Sequence, residues 1–265
     1  MATSKKSAAG RLLVEERRRR TLELLDRQER ATVDELVARF RVSAVTIRGD
    51  LDALAGAGSL VRSHGGALKR LEQQDVPIAV KATLHHDEKV RIGQAAAQLI
   101  REDETIILDS GTTTAEIARQ LRFLKLKSLT VITNALNIAV ELASLPHVRV
   151  IMIGGILRQT STSTVGPQAE QMLRGLHADR LFLGVDGLDP EFGLSTPDLL
   201  EAQLNALMIK VSREVTAVAD SSKFLRRTLS SIAGLDDVHR IITDDKVDQR
   251  IIASLRARSL EVMVV

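Results

Sequence analysis

Two sets of residues in this 265-residue chain have the types and spacing of recognition chemistry. The first is Ser43-Ala44-Val45-Thr46-Ile47-Arg48. Thr46 can bond a phosphate or a base edge, and Arg48 can fork onto guanine or clamp a phosphate. Arg62 and His64 follow closely and can reach a phosphate backbone. The second set is a series of small polar segments, each closing an apolar run. Asp109 leads into Ser110-Gly111-Thr112-Thr113-Thr114, a hydroxyl-rich loop with one Gly ahead of a helical stretch. Free backbone NH groups and the dipole at a helix start favour an anion, and phosphate is the natural occupant. The competing explanation is an ordinary Ser/Thr cap. Thr133-Asn134-Ala135, Gly154-Gly155, Gly184-Val185-Asp186-Gly187 and Asp220-Ser221-Ser222-Lys223 close later runs. Lys223 can neutralise a phosphate and Asp186 can grip sugar hydroxyls. Together these segments outline one polar site.

Other chemistries find little support. There is no cysteine, which excludes a disulfide framework and a thiolate zinc site. None of the six histidines falls in a metal-ligand pattern such as HExxH, and the adjacent His85 and His86 read as a solvated pair. No metal and no cofactor are expected. Proton transfer would need a carboxylate or His at a substrate carbon. Asp109, Asp186 and Glu201 are available, but no His falls at a strand end, so no catalytic residue is assigned. A sugar-phosphate isomerase or deaminase with an added nucleic-acid-binding head is the alternative function. The N-terminus carries no signal-like apolar run, and no stretch has the roughly 20 apolar residues of a membrane span. A soluble cytoplasmic protein without membrane contact is expected.

Net charge is +3 but unevenly spread: residues 1–70 carry +6 and the remainder −3. A basic head on a mildly acidic body suits a polyanionic partner. Five Phe and no Tyr or Trp argue against base stacking. Duplex DNA read by a helix is the better expectation.

The elements that must position these residues divide at a polar hinge. Residues 11–70 predict a helix over about Leu12–Arg27, a second from a capping box at Thr32–Glu35, and a third from Ser43 to about Ala57, stopped by Gly58. Val45, Ile47, Leu51 and Leu54 are its expected inward positions. Leu60–Arg62, a Gly65-Gly66 turn and Ala67-Leu68 predict a two-stranded wing from which Arg62 and His64 project. Residues 71–88 read as a linker. Residues 89–265 alternate apolar runs with amphipathic stretches. The strands expected are Thr105–Asp109, Leu129–Thr133, Val148–Ile153, Arg180–Gly184, Glu214–Ala219, Arg240–Thr243 and Glu261–Val265. That is an α/β pattern with a mostly parallel sheet, whose ligands gather at the carboxyl ends of strands.

Ser43-Ala44-Val45-Thr46-Ile47-Arg48-Gly49-Asp50-Leu51, followed by Gly58-Ser59-Leu60-Val61-Arg62-Ser63-His64-Gly65-Gly66-Ala67, resembles the signature of the DeoR family of bacterial regulators. Position 49 departs from it, being Gly where that family usually carries a second Arg. The resemblance covers residues 11–265. It implies a winged helix-turn-helix at 11–70 that touches operator DNA through Ser43, Ala44, Thr46, Arg48, Arg62 and His64. It also implies an effector domain at 89–265 similar in fold to sugar-phosphate isomerases, sensing without turnover. The phosphosugar site so implied comprises Asp109, Ser110, Gly111, Thr112, Thr113, Asn134, Asp186, Glu201 and Lys223. Glu201 either serves that site or only complements the dipole of its helix. Residues 165–170 and 201–205 resemble the N-acetylgalactosamine repressor subgroup. A homo-oligomer, dimer or tetramer, would set two heads on successive major grooves.

Overall fold

The computed structural model describes residues 13–28, 30–56, 59–63, 65–69 and 75–265, and the chain divides into two compact units, Met1–Leu71 and Glu72–Val265.

The first unit runs α1 (Val14–Gln28), β1 (Arg30–Thr32), α2 (Val33–Phe40), α3 (Ala44–Gly56), β2 (Leu60–Ser63) and β3 (Gly66–Lys69). α2 starts at the expected capping box. The Thr32 hydroxyl accepts from the Glu35 NH, and the Glu35 carboxylate accepts from the Thr32 NH at 2.7 Å. It ends at Arg41, whose φ of 54° turns the chain toward α3. β2 and β3 form the wing as an antiparallel hairpin, and β1 pairs on the far side of β3. That third strand was not expected, since three residues are too few for a pattern. Gly66 is required where β3 meets β1, because a Cβ there would lie 2.2 Å from the Ala31 carbonyl oxygen. Leu22, Leu25, Leu36, Phe40, Ile47, Leu51 and Leu60 are among the buried residues of this core.

The second unit begins with α4 (Ile78–Thr83) and α5 (His86–Ala97), then β4 (Thr105–Leu108), α6 (Thr112–Gln120), β5 (Leu129–Thr133), α7 (Leu136–Leu142) and β6 (Val148–Met152). It continues through β7 (Ile156–Arg158), β8 (Ser163–Val165), α8 (Pro167–Arg174), β9 (Ala178–Gly184), β10 (Gly187–Asp189), β11 (Gly193–Thr196) and α9 (Leu199–Lys210). It closes with β12 (Ser212–Val218), β13 (Ser230–Ala233), β14 (Arg240–Thr243), α10 (Gln249–Ala257) and β15 (Glu261–Val264). The segment 78–88, expected as linker, is therefore mostly helical and belongs to this unit.

Seven strands form one sheet in the order β15-β14-β12-β9-β4-β5-β6, with every pairing parallel. Parallel strands of this kind are covered on both faces, which explains their continuous apolar runs. Ile107, Leu181 and Leu183 join the core under α8, α9 and α10, while Ile106, Leu108 and Phe182 join the one under α5, α6 and α7. A row of alternating charge crosses five neighbouring strands near their amino ends. Arg180 lies 3.0 Å from Glu104 and 2.8 Å from Glu214, and Arg240 lies 2.6 Å from Glu214 and 2.7 Å from Glu261. Chain order reverses between β4 and β9: successive strands run outward from β4 on one side and from β9 on the other. At such a switch point the loops leaving two adjacent strands part and open a crevice at their carboxyl ends.

Candidate functional site

In the first unit the third helix presents a mixed face. Ser43 caps it, with the Thr46 NH 3.2 Å from its hydroxyl and the two side-chain oxygens 2.8 Å apart. Ile47, Leu51 and Leu54 are buried. Val45, expected inward, is instead 75% exposed. It lies two residues before Ile47, about 200° round a helix, and so on the opposite side. Val45, Arg48, Gly49 and Asp52 recur at helical spacing and all are exposed, whereas Ala44 and Thr46 are half-buried at the edge.

Arg62 is also not where the sequence puts it. Rather than projecting from the wing, it folds back, its Nε donating to Asp52 Oδ1 at 2.9 Å and its Nη1 to the Gly66 carbonyl at 2.7 Å. His64 and Gly58 lie outside the described residues. Asp50 is buried and receives Arg17 and Arg18 of α1, the latter at 3.1 Å. Part of the arginine run that reads as surface charge is thus spent holding α1 to α3.

In the second unit a polar cleft opens at the switch point, lined by the loops that leave β4 and β9. Eight of the nine expected effector residues line it: Asp109, Ser110, Gly111, Thr112, Thr113, Asp186, Glu201 and Lys223. Asn134 does not. It is fully buried, and its Nδ2 donates to the Thr164 carbonyl at 2.8 Å, fastening β8 to the end of β5.

The loop after β4 wraps around Asp109. That carboxylate accepts from the Gly111 NH at 3.0 Å and the Thr114 hydroxyl at 2.7 Å. Burial pushes it up to about 6, against the bonds from Thr114, Gly111 and Gly184. Gly111 is the N-cap of α6 and offers no side-chain cap, so the amides that open the helix face the cleft unanswered by a side chain. A Cβ at Gly111 would sit 3.1 Å from Asp109 Oδ1 and 3.3 Å from the Gly184 Cα, close enough to press on the Asp109 carboxylate.

Lys81 and Arg158, two cations that the sequence did not suggest, join Lys223 to complete the site. Lys81, on α4, lies 2.9 Å from Asp186, and Lys223 lies 3.6 Å from the other oxygen of that carboxylate. Burial would raise Asp186, but the two ammoniums outweigh it and hold the carboxyl below the usual carboxylate range. Lys89 anchors α4 by donating to the Lys81 and Leu84 carbonyls, both at 2.6 Å, and burial brings its ammonium down to about 8. Arg158, at the end of β7, contacts Asp75, and stands 3.2 Å from Asp198 and 2.7 Å from Glu201. Burial pushes Glu201 up to about 7 despite that guanidinium. Glu201 also sits in the first turn of α9, whose N-cap Asp198 accepts from the Glu201 NH at 2.9 Å. It therefore faces the cleft and meets the helix dipole at once.

Among the described residues no group of three or more His, Cys, Asp or Glu is placed to hold a metal ion. No helix among them is long and apolar enough to cross a membrane.

A winged helix-turn-helix followed by a parallel α/β unit with a polar switch-point cleft defines a transcription regulator with a sensing domain. Residues 17–73 match the DeoR-like helix-turn-helix domain, and residues 84–245 match the DeoR C terminal sensor domain. The chain belongs to the DeoR family of transcriptional regulators. It is 40% identical, over 94% of its length and 93% of the relative's, to an Escherichia coli O157:H7 protein assigned as the aga operon transcriptional repressor. It is 37% identical to the transcriptional repressor AccR of Agrobacterium fabrum, over 87% of this chain and 89% of that one. The glycerol-3-phosphate regulon repressor of Escherichia coli K12 is 32% identical, over 84% and 88% of the two chains. Among solved structures, ribose 5-phosphate isomerase A from Methanocaldococcus jannaschii aligns with 53% of this chain and 55% of that one, at 16% identity and a TM-score of 0.40.

Proposed function

We propose that this regulator represses a sugar catabolic operon, and that a phosphorylated sugar in the α/β cleft sets its affinity for operator DNA. The observation that carries this is the convergence of Lys81, Lys223 and Arg158 with the uncapped start of α6 on one cleft at the switch point. Cations and free amides suit a phosphate, while Asp186 and Glu201 suit the hydroxyls of a sugar. Asp109 acts from beneath, holding the Ser110–Thr113 loop in shape. On the first unit, Ser43, Ala44, Val45, Thr46 and Arg48 meet the major groove, with His64 of the wing near the phosphates. Two heads of a homo-oligomer occupy successive grooves of an operator in the cytoplasm. The sugar changes DNA affinity only in so far as it binds the DNA-competent and DNA-released states unequally.

The test is binding of the full chain to duplex DNA from its own upstream region, at fixed salt, with hexose and hexosamine phosphates added one at a time. One phosphosugar should shift the affinity, and Lys223→Ala should remove the shift while leaving DNA binding intact. Tight DNA binding that no phosphosugar alters would overturn the cleft assignment and leave the winged helix standing.

A further inference from the structure

We infer that the Asp75 carboxylate is a built-in occupant of this anion site, which an incoming phosphate must displace from Arg158 and Lys81, and that its release is how the cleft reports being filled. The inference rests on the cleft being an anion site, as proposed above.

The charge balance forces a displacement. Arg158, Lys81 and Lys223 are each already engaged by carboxylates: Arg158 by Asp75, Asp198 and Glu201, and the two lysines by Asp186, with Asp75 a further 3.6 Å from Lys81. Asp75, Asp186 and Asp198 match these three cations in number, so a phosphate entering the resting cleft meets charges that are already neutralised. For it to bind, a carboxylate has to leave.

The carboxylates differ in how firmly they are held. Asp186 lies two residues beyond the end of β9, where its NH donates to the Ser195 carbonyl at 3.1 Å and its carboxylate accepts from Thr196 at 3.5 Å. Asp198 is tied to the Glu201 NH, and Glu201 sits within α9. Asp109 is wholly enclosed by its own loop. Asp75, Asp109, Asp186 and Asp198 all lie outside helices and strands, but Asp75 is the one that precedes the first helix of the unit rather than sitting between two of its elements. The chain beyond it is next fastened at Ile78, whose NH donates to the Thr160 carbonyl at 2.7 Å. It is the group that can withdraw with the least disruption.

Its position in the chain gives the withdrawal a meaning. The DNA-reading unit ends at Leu71, and Asp75 follows four residues later. Whatever holds or frees Asp75 therefore acts on the segment through which the second unit is joined to the first. A phosphate that takes Arg158 and Lys81 exchanges a tethered strap for a free one, which is a difference between two states that a ligand can exploit.

The experiment compares the full-length wild type with Asp75→Asn, using inorganic phosphate and galactose 6-phosphate as probes. Affinity is read by calorimetry, and amide hydrogen exchange is followed across residues 75–83. If the strap is closed about nine-tenths of the time, removing the competing charge tightens phosphate binding about tenfold. Exchange in 75–83 should rise in the wild type on adding either probe, and should be high in Asp75→Asn without one. Arg158→Gln should also free the strap but weaken both probes, which separates release from affinity. Equal affinities for wild type and Asp75→Asn, with exchange in 75–83 indifferent to bound phosphate, overturn the inference while leaving the anion site intact. Failure of both probes to bind any form at millimolar concentration overturns the anion site and the inference together.

Discussion

Gly49 stands where the signature that residues 43–51 resemble usually carries a second Arg, and replacing it with Arg tests two separate claims about α3, the helix proposed to read DNA. Gly49 is exposed in the middle of α3, and a Cβ built there meets nothing within 4 Å. A larger residue therefore enters without repacking, and the change in stability is the helix propensity alone. Gly to Arg in a helix interior is worth about 0.8 kcal/mol, and Gly to Ala about 1 kcal/mol. Either variant should slow exchange of the α3 amides that report opening of the first unit by about fourfold. Only Arg adds a cation, on the same face as Arg48. One extra phosphate contact raises the slope of log affinity against log salt by about 0.9, so a fourfold rise in salt should shrink the advantage of Gly49→Arg about 3.5-fold. The assay is operator binding by wild type, Gly49→Ala and Gly49→Arg from low to moderate salt. Stabilised α3 in both variants with a slope unchanged by Arg would mean that position 49 does not face DNA, or that the new guanidinium pairs with Asp52. No stabilisation in either would refute the local account of the helix.

Asp50→Asn removes a buried carboxylate from between α1 and α3 and should destabilise the first unit by about 3–5 kcal/mol, the range for breaking a buried pair; a denaturation midpoint close to wild type would show the pair to be dispensable. Val45→Ala should lose affinity for an operator by the amount the wild type loses when one thymine is replaced by deoxyuridine, since an apolar side chain in the major groove reads the thymine methyl; additive losses would mean that the two groups do not meet. Glu201 and Asp109 hold protons in the folded state above their ordinary carboxylate range, at about 7 and about 6. At these two groups the folded chain binds more protons than the unfolded one between about pH 4 and 7, and their contribution to stability falls as pH rises through that window. Thermal unfolding of wild type and Glu201→Gln from pH 5 to 8 should show the decline flattened in the variant above pH 6, and identical profiles would contradict it.

The seven strands of the main sheet were legible because burial on both faces leaves nothing polar to interrupt them: Leu129–Thr133 and Arg240–Thr243 fall where the apolar runs do. The short strands β7, β8, β10, β11 and β13 leave no such trace. Ile156 and Leu157 are apolar but exposed, and three-residue pairs carry no usable alternation. The strand-end loops announced most of the cleft through small and hydroxyl residues, but two of its cations stayed hidden. Lys81 stands in a six-residue helix with no buried position, so no periodic pattern marks the helix at all. Arg158 ends a strand and enters the polar run Gln159-Thr160-Ser161, which looks like an ordinary turn. Asn134 erred the other way. Position at a strand end brings a residue near the cleft, but only the fold decides whether its amide turns outward or, as here, toward Thr164.

The row of charges from Glu104 to Glu261 answers a difficulty created by the strands themselves. A strand with one wet face is kept in register by its alternation, because a slip of one residue would turn its apolar side outward. β9 has no wet side: Leu181, Phe182 and Leu183 are all fully buried, on alternate faces. A misaligned β9 would still bury apolar residues above and below and would be only weakly opposed by the hydrophobic effect. Its alignment is enforced by ionic matching, since sliding Arg180 away from Glu104 and Glu214 strands a guanidinium inside the protein. The charge row thus acts as a vernier for strand alignment. The crevice at the far end, assembled from loops on β4 and β9, inherits its geometry from that setting.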